Sequence, residues 1–138
     1  MIISEAIGVG PVLSVDGLRE RSAGVWSGLT RDDIDEQYPG WLDDNRRPEG
    51  FEPDDQLLER VLPALDAIAA ESPGGSILVV CHGGVIKTVE THLGIEEGRV
   101  PNLSGRVLTS SGSDRWMAGE QIQLIDAERS TGGDGFRV

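Results

Sequence analysis

The residues best suited to chemistry lie in the run Val79-Val80-Cys81-His82-Gly83-Gly84-Val85-Ile86. His82 follows an apolar stretch that reads as a buried strand, and open α/β sheets build their sites at the carboxyl ends of such strands. Two glycines behind it let the backbone come close to a ligand, and the helix they open turns its free N–H groups toward the same spot. The arrangement suits a bound phosphate. A tight strand-to-helix turn, merely capped by its histidine, is the alternative reading of the segment alone.

Other chemistries make testable demands on the same stretch. A cysteine-dependent phosphatase needs an arginine six positions after its cysteine, and at that position after Cys81 stands Lys87. Lysine lacks the planar fork that grips phosphate bidentately, and Cys81 would have to point out of the core. An esterase built on a His-Gly-Gly loop needs a Gly-x-Ser-x-Gly elbow, which the chain does not contain. His82 and His92 are ten residues apart with a helix between them, out of reach of one metal ion.

The elements that must place His82 can be read from hydrophobic period and punctuation. Ile77 to Cys81 is continuously apolar, as expected of a strand buried on both faces of a parallel sheet, and Val85 to Leu93 is predicted to be the following helix, stopped at Gly94. Leu57, Leu58, Val61, Leu62, Leu65, Ile68 and Ala69 repeat at helical spacing and predict a helix from Asp54 to Ala70, with Pro63 inside it. Thr30 and Asp33 resemble a capping box, opening a helix through Tyr38. Met1 to Gly8 reads as the last turns of an amphipathic helix with no start signal. Pro11 to Val15 is a short strand candidate, and Arg106–Leu108 and Gln121–Ile125 are two more around a turn at Ser111 to Asp114. Pro39 to Pro53 is a long Pro/Gly/Asp/Arg-rich excursion, and such loops are usually functional or mobile.

With 138 residues the chain is one domain at most. Its formal charge of −12 repels nucleic acid and anionic membrane, so neither is an expected partner. A phosphate site on such a surface must create its own local positive field. No run approaches the ~18 apolar residues of a membrane span, and no secretory signal is evident. A single cysteine, Cys81, makes a reducing, cytoplasmic setting the default.

Several segments, taken in order, resemble the histidine phosphatase superfamily, the phosphoglycerate-mutase-like proteins. Leu18-x-Glu20-Arg21-x-x-Gly24-x-Trp26-x-Gly28-x-Thr30 is similar to the segment bearing that family's catalytic acid. Val80 to Lys87 resembles its second histidine motif. Pro48 to Glu52 with Glu59-Arg60-Val61 is looser, near the family's Gly-Glu-Ser region, and Pro101 to Ser104 looks like the entry to the next strand. The resemblance implies an α/β fold, a three-layer sheet with flanking helices. Here it would be N-terminally truncated, as a partial domain over residues 1–126 with a flexible tail over 127–138.

The resemblance also implies phosphomonoester hydrolysis through a phosphohistidine, with a small phosphorylated substrate and neither metal nor cofactor. His82 would be the phosphate-binding histidine, Glu20 the acid that protonates the leaving oxygen, and Arg21 and the Gly83 N–H substrate contacts. Solvated loop charges are the bland reading of Glu20 and Arg21, and also of Arg46 and Arg47; Trp26 is expected to pack. The Gly24-to-Thr30 stretch favours a phosphatase over a phosphoglycerate-mutase-type phosphotransferase.

The Arg-His-Gly segment that carries the family's nucleophile does not occur in these residues. The chain is therefore expected to be inactive alone, a non-catalytic phosphate-binding module being the alternative. The sheet edge beside His82 should lie open, and burying it calls for a homo-oligomer or another partner. One geometric condition decides whether this reading survives. The Glu20 carboxyl must lie beside an imidazole of His82 that is open to a ligand.

Overall fold

The computed structural model describes residues 2–96, 98, 100–111 and 115–124. In chain order these form α1 (Ile2–Ile7), two short 3-10 turns (Asp16–Leu18 and Gly24–Trp26), α2 (Arg31–Gln37), α3 (Asp54–Glu71), α4 (Gly83–His92), β1 (Ser104–Ser110) and β2 (Trp116–Gln123). The expected tail over 127–138 lies outside the described residues.

The helices follow their local signals. At α2 the capping box is reciprocal: Thr30 accepts from the Asp33 N–H while the Asp33 carboxylate accepts from the Thr30 N–H, at 3.2 and 2.8 Å. That exchange holds the Asp33 carboxyl below its ordinary range, with the Thr30 hydroxyl as the leading cause. α3 buries Leu57, Val61 and Leu65 on one face, the stripe its period predicted, with Pro63 accommodated inside. α4 begins at Gly83, two residues before the expected start. It ends in a Schellman arrangement: the Ile95 N–H reaches the Glu90 carbonyl and the Gly94 N–H reaches that of Thr91, with Gly94 at φ +82°.

Two cores result. Leu18, Leu57, Val61, Leu65, Val85 and Val89 join α3, α4 and the first 3-10 turn. Ala23, Trp26 and Ile34 form a second core around which Tyr38 and Trp41 pack, so Trp26 is a packing residue, as expected. The β1–β2 ribbon is antiparallel, pairing Ser104 with Gln123 and Ser110 with Trp116, with an irregularity between Arg106 and Leu108. Both strands overlap the expected ones but are longer, and β2 begins five residues before Gln121 and stops at Gln123; Ile125 and residues 112–114 of the intervening turn lie outside the described residues.

Two strand expectations are corrected. Pro11 to Val15 and Ile77 to Cys81 form no strand. Far from being buried on both faces, Leu78 and Val80 are 65% and 68% exposed, while Val79 and Cys81 lean on the larger core. The physical reason is the lack of a neighbour. An extended segment becomes a strand only when another pairs with it, and among the described residues nothing bonds the backbone groups of Ile77 to Val80. The described residues hold helices and one two-stranded sheet, consistent with an α/β fold, and no parallel layer.

Candidate active site

His82 closes the 77–81 segment and serves as the N-cap residue of α4, in extended backbone conformation and with no capping bond from its own side chain. The N–H groups of the first helical turn, from Gly83 onward, therefore have no acceptor within the helix, and the positive end of the helix dipole faces the same way.

Glu20 arrives from the loop after the first 3-10 turn. Its Oε1 accepts the Arg21 N–H at 2.8 Å, and its Oε2 lies 3.6 Å from His82 Nδ1. The His82 side chain is 60% exposed, so the ring is open to a ligand, and with Nδ1 toward Glu20 its Nε2 is left for that ligand. Gly84 makes the approach of Glu20 feasible: a Cβ there would stand 2.7 Å from Glu20 Oε1. The condition posed by the sequence is met. The two side chains lie together, and the imidazole is exposed rather than sealed inside.

Arg21 has more partners than a solvated loop charge. It donates to the Glu52 carbonyl at 3.3 Å, to Asp54 Oδ1 at 2.7 Å and to the Thr88 hydroxyl, and its guanidinium lies 5.3 Å from the centre of the Phe51 ring. It thus ties the loop to the start of α3 and the middle of α4. Arg46 stacks over Trp41 at 4.2 Å and Arg47 lies 5.3 Å from the Phe51 ring centre.

Cys81, next to His82, is no competing nucleophile. Burial, and then the nearby Glu20 charge, push its thiol up from the ordinary value, so it stays protonated near neutral pH. Among the described residues no cluster of His, Cys, Asp and Glu is placed to hold a metal ion.

The sequence reading assigned no role to Glu52 or Arg60. Arg60 grips the Glu52 carboxylate with two bonds of 2.7 and 2.8 Å, both side chains being about nine-tenths buried. The only signal was an arginine one place before Val61 on a helix whose neighbouring positions face the core. The Arg60 hydrogen bond, ahead of the Ser22 N–H, holds the Glu52 carboxyl below its ordinary value of 4.5. A carboxyl depressed in the folded state adds stability above its unfolded value, and that contribution disappears as pH falls through the lower folded value. Thermal melts are therefore expected to be flat from pH 7 to 5 in this respect and to drop below about pH 4, and Glu52→Gln should remove part of that drop. An unchanged acid limb in the variant would show that this pair does not set it.

The family model for the Histidine phosphatase superfamily (branch 1) matches residues 1–115. The chain belongs to this superfamily. It is 34% identical over 85 aligned positions to a metal-independent phosphoserine phosphatase of Arabidopsis thaliana, an alignment covering 56% of this chain and 36% of that protein. It is 30% identical over 140 positions to a glucosyl-3-phosphoglycerate phosphatase of Mycolicibacterium vanbaalenii, covering 91% of this chain and 58% of the relative. The chain thus spans about a third of the length of the first relative and somewhat over half of the second. No solved structure matches it. Among its described residues no helix is long and apolar enough to cross a membrane.

Proposed function

We propose that this chain carries the acid and phosphate-binding half of a phosphomonoesterase site of the histidine phosphatase type. One observation carries the reading: the Glu20 carboxylate lies 3.6 Å from His82 Nδ1, before the uncapped N-terminus of α4. There His82 Nε2 and the Gly83 N–H bind phosphoryl oxygens, helped by the helix dipole. When a nucleophile from outside these residues bonds to phosphorus and the ester P–O bond breaks, Glu20 acts as the general acid that protonates the leaving alkoxide, and then as the base for the water whose oxygen displaces that nucleophile. Arg21 holds the loop against α3 and α4, with its Nε beside the site. The names of the two relatives favour a small phosphomonoester as substrate.

The covalent step needs a nucleophile that these residues do not supply. There is no Arg-His-Gly segment, and His92 stands at the far end of α4, ~15 Å along the helix from His82. The chain alone is expected to release no p-nitrophenol from p-nitrophenyl phosphate above the buffer rate. Steady release that disappears in His82→Ala would overturn that claim while supporting the site.

The three-layer sheet forms, in this reading, when a strand covers the edge at Ile77 to Val80. Exposed Leu78 and Val80 and unpaired backbone groups support the proposal. Uncovered, the edge promotes self-association. Sedimentation should show oligomers growing with concentration, and Val80→Lys should shift them toward monomer. An ideal monomer at every concentration, for the unsubstituted chain, would refute the open edge.

A further inference from the structure

We propose that Arg60 is a positioning residue for Glu20, an inference that rests on reading Glu20 as the acid of the site. A guanidinium has five N–H donors, and in Arg60 all five are engaged. Nε and one Nη donor hold the Glu52 carboxylate; the others reach the carbonyls of Gly17, Arg19 and Glu20 at 2.8, 2.9 and 3.2 Å. No donor is left for a ligand, and the side chain is only 15% exposed. What it holds is the backbone that leads into Glu20, up to the carbonyl of Glu20 itself.

Up to Leu18 that backbone is also held by the Arg19 N–H on the Asp16 carbonyl and by Leu18 in the larger core. The 3-10 turn ends at Leu18, and Arg19 is extended. Gly17 lets the turn lie directly on α3, since a Cβ there would come within 2.7 Å of Ala64 Cβ and 2.9 Å of the Arg60 carbonyl. From this platform the Glu20 side chain must enter a narrow slot, with Oε1 in the space a Cβ of Gly84 would take. Small drifts of the 17–20 backbone would carry the carboxylate out of that slot. Arg60 prevents them, with Glu52 orienting its fork. Lysine at position 60 keeps the charge but concentrates three donors at one point, so it cannot serve Glu52 and three carbonyls together.

The test is a double-substitution cycle on binding of inorganic phosphate to the full chain, followed by NMR titration of the parent, Glu20→Gln, Arg60→Lys and the double variant. Glu20→Gln is expected to tighten phosphate about fivefold, because it removes a negative charge held beside the anion. Arg60→Lys, which leaves net charge unchanged, is expected to tighten it about threefold when Glu20 is present and to do nothing in the Glu20→Gln background. Equal effects in the two backgrounds, or none in either, would mean that Arg60 only supports packing, and would overturn the proposal. If Arg60→Lys lacks a cooperative melt, Glu52→Gln takes its place with the same coupling and about a twofold change. Should the parent bind no phosphate, the reading of the site falls and the positioning role falls with it; binding with additive effects removes the positioning role alone.

Discussion

Glu90→Ala is expected to destabilise the chain by about 3–5 kcal/mol, because it removes a carboxylate partner from the buried Arg106 guanidinium. Glu90 and Arg106 are among the least exposed charged side chains of the fold, at 4% and 6%, and Arg106 Nε meets Glu90 Oε1 at 2.6 Å. A second Arg106 bond, of 2.9 Å, runs to the Gly119 carbonyl. The pair is therefore a polar link between α4 and the β1–β2 ribbon. A loss of that size is a large part of the ~5–15 kcal/mol typical of a domain, so the melting temperature should fall by roughly 10–20 °C or the transition should vanish. Replacing both residues, as Glu90→Leu with Arg106→Met, should restore part of the loss, since it removes the buried guanidinium together with its Glu90 partner. If calorimetry shows Glu90→Ala melting within about 2 °C of the parent, the ribbon is not held to α4 in this way.

Gly24→Ala is expected to cost about 3 kcal/mol for two separate reasons. Gly24 sits at φ +60°, where a side chain costs roughly 1–2 kcal/mol. Its added Cβ would also stand 2.1 Å from the Glu49 carbonyl oxygen and 2.7 Å from the Phe51 nitrogen, both backbone atoms that cannot rotate away. Forcing them apart adds roughly 1–3 kcal/mol of overpacking. The contact lies where the acid-bearing loop meets the long excursion: Ala23 bridges Phe51, Val25 N–H reaches the Glu49 carbonyl and Glu52 N–H reaches the Ser22 carbonyl. Separating those segments would also disturb Glu52, and through it Arg60. Urea unfolding should show the midpoint drop, and phosphate affinity should change with it; an alanine variant as stable as the parent would mean the two segments are not in contact.

These costs explain which features the sequence could announce. Gly24 and Gly28 entered the reading only through the resemblance of the Leu18-to-Thr30 segment, and the structure gives both a positive φ, at +60° and +84°. α3 was legible because Leu57, Val61 and Leu65 repeat at the period that faces one core, and α2 because its capping box is local, spanning Thr30 to Asp33. His82 was legible from its place between an apolar run and two glycines, but Glu20 and its pairing with His82 only through family resemblance, since a separation of 62 positions hides their contact from any local pattern.

What escaped the reading depends on partners. A run such as Ile77 to Cys81 reports a preference for burial between neighbours, but it does not supply the neighbours; the described residues leave it extended and exposed. Arg60 looks, in sequence, like any surface arginine of a helix. Its five bonds go to residues 8 to 43 positions away, so only the folded chain reveals it. Asp54 and Thr88, which receive the Arg21 guanidinium, were missed for the same reason.

The most direct measurement is an NMR titration of the isotope-labelled chain with inorganic phosphate, alone and as His82→Ala. Saturable shifts centred on the His82 ring and the Gly83 and Gly84 amides, weakened at least about tenfold by His82→Ala, are the expected result. Shifts that are absent, that survive the substitution, or that map instead to the groove bounded by Leu58, Leu62 and Trp116 would contradict a phosphate site at the start of α4.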